Sequence, residues 1–288
     1  MTTPADSSQS ENTYFIDAEN AAEMARLTNQ DRIITKIMGS LFPEQLDLVH
    51  NIHDILDIGC GPGGWVLDVA HVYPEKRVVG IDISTLMIEY ARYQAYIQSL
   101  NNVSFRVMNA LESLDFPDSS FDLVNARLFG FIPTAAWPNL MREYMRVIRP
   151  GGVIRLTEFE GLGISNSLSL EKLIRTFAHA LKLAGQNFSP DGERIGIVPM
   201  LGGFLRDVGC KNIQQRAHVI DYSTETEYHE GFRQDWMVAF KLARPAFVGS
   251  GVITEEEFDQ LYQQMLIDML SDEFRGIMFL LTAWGEKP

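Results

Sequence analysis

Short unbroken apolar runs alternate with amphipathic stretches along the middle of the chain. The runs have the length and composition of buried strands, and the stretches between them carry apolar residues at three- and four-residue spacing. Strands separated by helical patterns are typical of an α/β fold with a parallel sheet. Residues Arg149 to Gly152 are predicted to form a turn. The predicted strands are Ile55 to Ile58, Arg77 to Ile81, Val103 to Met108, Phe121 to Asn125, Val153 to Phe159 and Asn212 to Asp221. The predicted helices are Asn20 to Leu41, Trp65 to Val72, Ser84 to Gln98, Trp137 to Ile148, Ser167 to Ala184 and Val198 to Val208.

The segment that precedes the last apolar run is unusually long. Arg275 to Trp284 is predicted as a strand, but about 222 to 273 is much too long to be a turn before it. A capping box at Thr254 predicts a helix with an apolar stripe. An earlier helix, Tyr228 to Leu242, is predicted to end before Pro245. We therefore expect a helical insertion here.

A cluster of glycines follows the first predicted strand. Gly59, Gly61, Gly63 and Gly64 separate that strand from the next helix. Glycine permits left-handed backbone angles and lets a ligand touch the main chain, and the first N–H groups of the helix would face that ligand. Asp82 ends the second strand, where a carboxylate can accept both hydroxyls of a ribose. A nucleotide-type site is predicted, and a glycine-rich turn without a ligand is the alternative.

With these motifs the chain resembles the class I S-adenosylmethionine-dependent methyltransferases over roughly residues 50 to 160. The matching segments are Leu56 to Gly63, Gly80 to Ser84 with Met87, Asn109 with Ala110, Phe121 to Val124 and Arg146 to Gly152. The resemblance implies a Rossmann-like, doubly wound α/β sheet of seven strands, the last antiparallel, with helical cap insertions. It also implies that S-adenosylmethionine is the cofactor.

Two positions bear on which nucleotide is bound. The resemblance implies that Asp57 helps to hold the methionine ammonium, and dinucleotide enzymes usually lack an acid there. Asn109 departs from the Asp that commonly reads the adenine, although its amide oxygen can still accept a hydrogen bond from the adenine amino group. The full set of cofactor-binding residues that we expect is Tyr14, Asp57, Gly59, Cys60, Gly61, Gly63, Asp82, Ile83, Met87, Asn109, Ala110, Leu111 and Asn125.

The chain is expected to form one domain. Residues 1–12 are polar and are predicted to be a disordered tail, and residues 13–288 are predicted to be a single methyltransferase domain. Its core is assigned to about 50–160, 194–221 and 275–288. The cap segments are assigned to about 13–49, 161–193 and 222–273. A homodimer is compatible with this organisation, and the oligomeric state is left open.

The composition of the chain disfavours nucleic-acid, metal and membrane partners. The formal net charge of -14 disfavours nucleic acid, because phosphate backbones would be repelled. The two cysteines, Cys60 and Cys210, indicate no disulfide framework, and no His/Cys set has metal-ligand spacing, so no metal is expected. No apolar run is long enough to cross a bilayer and no signal peptide is visible, so a cytoplasmic protein without membrane attachment is expected.

The cap segments are expected to cover the carboxyl ends of the strands, where an open α/β sheet binds its ligands. Candidate catalytic residues there are Glu158, Arg127 and His229, with Glu160 as a further acid. Each also has a plain structural explanation, as a loop acid, a salt-bridge partner or a surface histidine. Methyl transfer needs a base only when the nucleophile must lose a proton.

The sequence therefore favours a methyltransferase that acts on a small, largely apolar acceptor, with a role in secondary metabolism suggested by family analogy. Three alternatives stay open at this point. They are an NAD(P)-dependent oxidoreductase, a non-methylating family member that uses bound S-adenosylmethionine for cyclisation or isomerisation, and a polymer-directed methyltransferase.

Overall fold

An eight-stranded sheet runs through the part of the chain that the structure describes, residues 14–43 and 51–288 of a computed structural model. Its main path has the order β3-β2-β1-β4-β5-β8-β6, and β7 pairs with the other side of β8. The predicted tail, residues 1–12, lies outside the described residues, as does part of the cap segment 13–49. The strands are β1 (Asp54–Ile58), β2 (Arg77–Asp82), β3 (Val103–Val107), β4 (Phe121–Arg127), β5 (Ile148–Phe159), β6 (Ile164–Ser165), β7 (Lys211–Asp221) and β8 (Gly276–Glu286).

Eight helices occur in the same residues, and most match a predicted one to within a few residues. None of these helices combines the length and the apolar content needed to cross a bilayer. The helices are α1 (Ala21–Met38), α2 (Gly64–Val72), α3 (Thr85–Ile97), α4 (Trp137–Val147), α5 (Leu168–Leu183), α6 (Leu201–Asp207), α7 (His229–Gly249) and α8 (Glu255–Asp268).

The first five strands form a parallel ladder with β1 at its centre. All five residues of β1 are buried, because the strand pairs with β2 on one side and β4 on the other while helices cover both faces. This is why Ile55, Leu56 and Ile58 place apolar side chains on both faces of the strand. The carboxyl ends of β1, β2, β4 and β5 consequently meet at one edge of the sheet.

The last strand is antiparallel, as predicted. β8 inserts between β5 and β7 and pairs in the antiparallel sense with both, for example through Leu156 to Ala283 and Gln215 to Ala283. The additional strand β6 extends the β5 side of β8 by two residue pairs. Two residues are too few to produce a hydrophobic pattern, so the sequence could not indicate β6.

Two local predictions are wrong. Arg149 to Gly152 was expected to be a turn, but these residues belong to β5. They sit where the pairing register with β4 shifts, and Gly151 has a φ of 79°. The turn-forming residues therefore make an irregularity within the strand. The helix before Pro245 does not stop there, because α7 includes this proline and continues to Gly249. Phe247 is buried in the core, so packing favours continuation across the lost backbone hydrogen bond.

The cap helices come from distant parts of the sequence. α7 and α8 lie between β7 and β8, α1 precedes β1, and α5 follows β6. The helices pack in pairs, α1 against α7 and α5 against α8.

Gly80 in β2 gives a test of the sheet packing. A Cβ atom built on Gly80 would lie 2.8 Å from the Phe105 ring and 2.9 Å from the Cys60 sulfur. We expect Gly80→Ala to lower the free energy of unfolding by about 1–3 kcal/mol through overpacking. Gly203→Ala in α6 is the control, because it meets nothing within 4 Å. It should be neutral or mildly stabilising. Equal denaturation midpoints for both variants would contradict this packing.

Candidate active site

The loop between β1 and α2 brings bare main chain to the edge of the sheet. Gly59 and Gly61 have φ angles of 65° and 52°, in the region that favours glycine. A Cβ atom at Gly59 would lie 2.4 Å from the Phe129 ring, so that position has no room for a side chain. The N-cap Gly63 provides no side-chain hydrogen bond to the first turn of α2. The start of α2 thus presents backbone N–H groups, as in anion and nucleotide sites.

Asp82 at the end of β2 is fixed by this loop. Its Oδ2 accepts a hydrogen bond from the Gly61 N–H at 2.9 Å, and its Oδ1 accepts one from the Ser84 N–H at 2.9 Å. Burial raises the pKa of Asp82, and these backbone hydrogen bonds oppose the rise. Each carboxylate oxygen keeps a further lone pair for a ligand hydroxyl.

A chain of buried polar side chains leads from Asp57 into the sheet. Asn125 donates from Nδ2 to Asp57 Oδ1 at 2.6 Å, and Arg155 donates from Nη1 to Asn125 Oδ1 at 2.7 Å. Asn125 and Arg155 are fully buried and Asp57 is 5% exposed. Burial raises the pKa of Asp57 to about 7, although Asn125 and Arg155 lower it. Asp57 is therefore a carboxyl group that changes charge near neutral pH.

These groups border a cavity of about 230 Å³. Its polar side contains the glycine loop, Asp57 and Asp82, and its opposite side is apolar and largely aromatic. Phe15, Phe131 and Phe177 form a mutually packed cluster with ring centroids 4.8 to 5.6 Å apart. The apolar lining comes from the N-terminal segment, the loop after β4, β5, α5 and α7. Its larger members are Phe15, Ile34, Leu128, Phe129, Phe131, Ile132, Phe159, Leu162, Phe177, Trp236, Phe240 and Phe247.

Comparison with known proteins agrees with this geometry. A family model described as a methyltransferase domain matches residues 55–152, which contain the glycine loop and both acids. The chain is similar to a probable methyltransferase, ltbC, of Aspergillus luteorubrus, with 29% identity over 220 residues that cover 72% of this chain and 75% of the relative. A demethylmenaquinone methyltransferase of Lactococcus lactis subsp. lactis is 35% identical over 99 residues, covering 34% of this chain and only 38% of the relative.

Residues 55–152 form a class I S-adenosylmethionine-dependent methyltransferase domain.

Two solved structures share this fold. Phosphoethanolamine N-methyltransferase 2 of Haemonchus contortus, solved with S-adenosyl-L-methionine, superposes with a TM-score of 0.51 at 18% identity, covering 95% of this chain and 60% of that one. The [4+2]-cyclase SpnF superposes with a TM-score of 0.50 at 21% identity, covering 94% and 97%. S-adenosylmethionine is the cofactor of this methyltransferase, and the NAD(P)-dependent alternative is therefore rejected.

Most of the residues that we expected to bind this cofactor line the cavity, and Gly63 and Asn125 are the exceptions. A Cβ at Gly63 would point away from the cavity, 2.8 Å from the Phe105 ring, and the neighbouring Gly64 lines the cavity instead. Asn125 lies behind the cavity wall, where it donates a hydrogen bond to the cavity-lining Asp57. Asn109 lines the cavity while its Oδ1 accepts the Leu111 N–H at 3.0 Å. The expected residues that line the cavity are Tyr14, Asp57, Gly59, Cys60, Gly61, Asp82, Ile83, Met87, Asn109, Ala110 and Leu111.

The expected catalytic residues are not brought together. Arg127 lines the cavity, where it forms an ion pair with Asp31 and lies over the Trp65 ring. A guanidinium stays protonated, so Arg127 is no general base. Glu158 does not line the cavity but accepts the Phe129 N–H at 2.8 Å from beneath, and burial raises its pKa to about 8. Glu158 therefore supports the loop that lines the cavity.

His229, the third predicted catalytic residue, lies away from the cavity. It lies at the start of α7, its Nδ1 is 2.9 Å from the Tyr222 carbonyl oxygen, and it is not among the residues that line the cavity. Glu160 likewise holds a loop, because it accepts the N–H groups of Gly196 and Val198. Within residues 14–43 and 51–288 no group of three His, Cys, Asp or Glu side chains could hold a metal ion.

Three polar residues of α1 that line the cavity were missed. Arg26, Gln30 and Asp31 lie on α1 and were not among the predicted site residues. Arg26 and Gln30 are in fact 8% and 9% exposed. The available signal was their spacing, since Arg26, Gln30 and Ile34 recur every four residues on one face.

Asp82→Ala tests the ribose contact. If Asp82 accepts the ribose hydroxyls, its loss removes charge-assisted hydrogen bonds worth about 1.5–3 kcal/mol each. We expect calorimetry to show at least a tenfold loss of S-adenosylmethionine affinity with the fold retained. Asp118→Ala, at a carboxylate whose side chain is 77% exposed, should bind normally. An unchanged affinity of Asp82→Ala would remove Asp82 from the site.

The pKa of Asp57 predicts a pH dependence of cofactor binding. With its pKa raised to about 7, Asp57 is largely neutral below that pH and ionised above it. If its carboxylate holds the methionine ammonium, affinity should rise with pH between about 6 and about 8, by at most about tenfold per unit, and then level off. Asp57→Asn should bind weakly with a flat profile, and Asp118→Asn should keep the native profile. A flat native profile would argue against this contact.

Proposed function

We propose that this methyltransferase transfers the methyl group of S-adenosylmethionine to a small, largely apolar acceptor. The observation that carries the proposal is the aromatic lining of the cavity opposite the glycine loop. A covered cavity with apolar walls suits a small molecule and excludes a polymer. The net charge of -14 also disfavours a nucleic-acid acceptor.

The residues of the glycine loop would hold the donor against the sheet edge. Gly59 and Gly61 adopt the left-handed backbone angles that shape this loop, and Asp82 is placed to accept the ribose hydroxyls of the nucleoside. Asp57, ionised, would hold the methionine ammonium while Asn125 orients the carboxylate. The bound donor supplies an electrophilic methyl group on a positively charged sulfur.

The protein's remaining contribution is alignment and exclusion of water. Transfer is fastest when the nucleophile is held in line with the methyl group in a dry site. Phe131, Phe177 and Phe247 supply apolar surface for this purpose, and each is largely screened from solvent. No histidine lines the described cavity. The proposal therefore favours an acceptor whose nucleophile needs no histidine base.

A role in secondary metabolism fits this acceptor class. Two relatives with matching segments are named as a probable methyltransferase of Aspergillus luteorubrus and a demethylmenaquinone methyltransferase. The matched segment covers 75% of the first relative but only 38% of the second. The proposed acceptor class is therefore supported mainly by the cavity lining.

A second candidate function is cyclisation or isomerisation with the donor left intact. Its support is the [4+2]-cyclase SpnF, whose length is covered almost completely by this fold. The identity of 21% makes this support weaker than that for methyl transfer.

Donor with a labelled methyl group separates these functions. The protein is incubated with labelled S-adenosylmethionine and, in parallel, with the small-molecule, protein and nucleic-acid fractions of its source cells. We expect label in an organic-extractable small product, with one S-adenosylhomocysteine formed per methyl group. Asp82→Ala is the control and should reduce the label. Label in a polymer fraction would contradict the acceptor class, and a rearranged but unlabelled product with intact donor would support cyclisation instead.

A further inference from the structure

Helix α1 presents two neighbouring stripes to the cavity. The first stripe, Leu27 and Asp31, lies against the glycine loop. A Cβ atom built on Gly61 would lie 3.9 Å from Leu27, and one built on Gly64 would lie 2.3 Å from Asp31. Arg26 and Gln30 are each one position earlier, which turns them by about 100° around the helix axis. They face α7 instead, where both contact Asp235. The first stripe therefore belongs to the cofactor side and the second to the capped side.

The second stripe is held in a buried hydrogen-bonded cluster. Asp235 accepts from Arg26 Nη1 at 2.9 Å and from Gln30 Nε2 at 3.1 Å. Glu23 accepts from Arg26 Nε at 2.8 Å and from Arg26 Nη2 at 2.7 Å. Tyr14 donates to Glu23 at 2.8 Å. Asp235 is 3% exposed and Glu23 is fully buried, so both carboxylates act as fixed acceptors.

Hydrogen-bonding capacity is left over in this cluster. Arg26 carries five N–H groups, and the described contacts to Glu23, Asp235 and Tyr14 use four of them. Gln30 donates one of its two N–H groups to Asp235 and retains the other. Both side chains line the cavity. A buried donor without a partner is costly, so a ligand oxygen at this place would be stabilised.

The charges of the cluster favour a neutral ligand oxygen over an anionic one. Arg26 already faces two carboxylates, Glu23 and Asp235, so an additional anion would meet no excess positive charge. A neutral carbonyl or hydroxyl oxygen needs only the remaining N–H groups. The adjacent surface of α7, Trp236 and Phe240, is aromatic and also lines the cavity. A flat ring that carries such an oxygen can accept a hydrogen bond from the remaining N–H groups while the ring packs against Trp236 and Phe240.

We propose that Arg26 and Gln30, positioned by Asp235, bind a neutral carbonyl or hydroxyl oxygen on a flat, apolar acceptor. This inference rests on the proposed function, since it concerns the acceptor side of the same cavity. Asp235 is a positioning residue that acts through the two side chains. A cluster that served only to join α1 to α7 would affect stability without distinguishing ligands that differ by one oxygen.

The test compares ligands that share one ring system. The protein is saturated with S-adenosylhomocysteine, and binding of naphthalene, 2-naphthol and naphthalene-2-carboxylate is measured at neutral pH by equilibrium dialysis with the fluorescence of the ring. We expect 2-naphthol to bind about tenfold more tightly than naphthalene, as one buried hydrogen bond allows. The carboxylate should bind no more tightly than 2-naphthol.

Variants assign that preference to the cluster. Gln30→Met keeps the length of the side chain and should abolish the preference for 2-naphthol while leaving naphthalene affinity within about twofold. Asp235→Asn should reduce the preference, because Arg26 and Gln30 lose their fixed carboxylate. Gln234→Met is the matched control, since Gln234 is exposed on α7 and bonds only to Glu230. It should retain the full preference.

The possible results separate the two proposals. Equal binding of naphthalene and 2-naphthol, tighter binding of the carboxylate, or a preference that survives Gln30→Met would overturn the oxygen site while S-adenosylhomocysteine still binds. Failure to bind either naphthalene or 2-naphthol would also overturn it. Failure to bind S-adenosylhomocysteine would instead remove the proposed function itself. If Gln30→Met does not fold, the wild-type preference and Asp235→Asn decide.

Discussion

The close approach of neighbouring elements to bare backbone between β1 and α2 is the constraint on which the site depends. Phe129 lies over Gly59, Leu27 over Gly61 and Asp31 over Gly64. These contacts bring two segments, the loop after β4 and helix α1, against the same short turn. A side chain at Gly59 or Gly64 would displace its neighbour, so the cofactor cradle and its cover form one packing arrangement.

The parts of the site that are contiguous in sequence were predictable. The apolar run of β1, the glycines and Asp82 lie within one βαβ unit, and their local pattern is sufficient to relate them. Their approximate places in the fold followed from the parallel order of the strands. The sequence could not show that Gly64 rather than Gly63 faces the cavity. The two glycines are adjacent, and they differ only in the direction in which a built Cβ atom would point.

The remainder depends on contacts between distant residues. Arg127 and its partner Asp31 are 96 positions apart in the sequence, and Arg26 and its partner Asp235 are 209 positions apart. Patterns of local residue spacing cannot reveal partners at such separations. Helical periodicity also failed at Arg26 and Gln30 because it assigns polar residues to solvent. Here both are buried, and the charge of Arg26 is balanced by Glu23 of α1 and Asp235 of α7. His229 lies beside the Tyr222 carbonyl oxygen, a backbone contact that the sequence pattern does not indicate.

The position of β8 has a consequence for how the protein assembles. β8 separates β5 from β7, so the two strands made earlier have no partner on their facing edges until residues 276–286 have been synthesised. The first five strands can pair as they emerge, but the α7 and α8 segment must wait for the strand that closes the sheet behind it. Non-local pairing of this kind slows folding and leaves apolar edges exposed meanwhile. The part of the cavity wall that α7 supplies is therefore tied to the last strand of the sheet to be made.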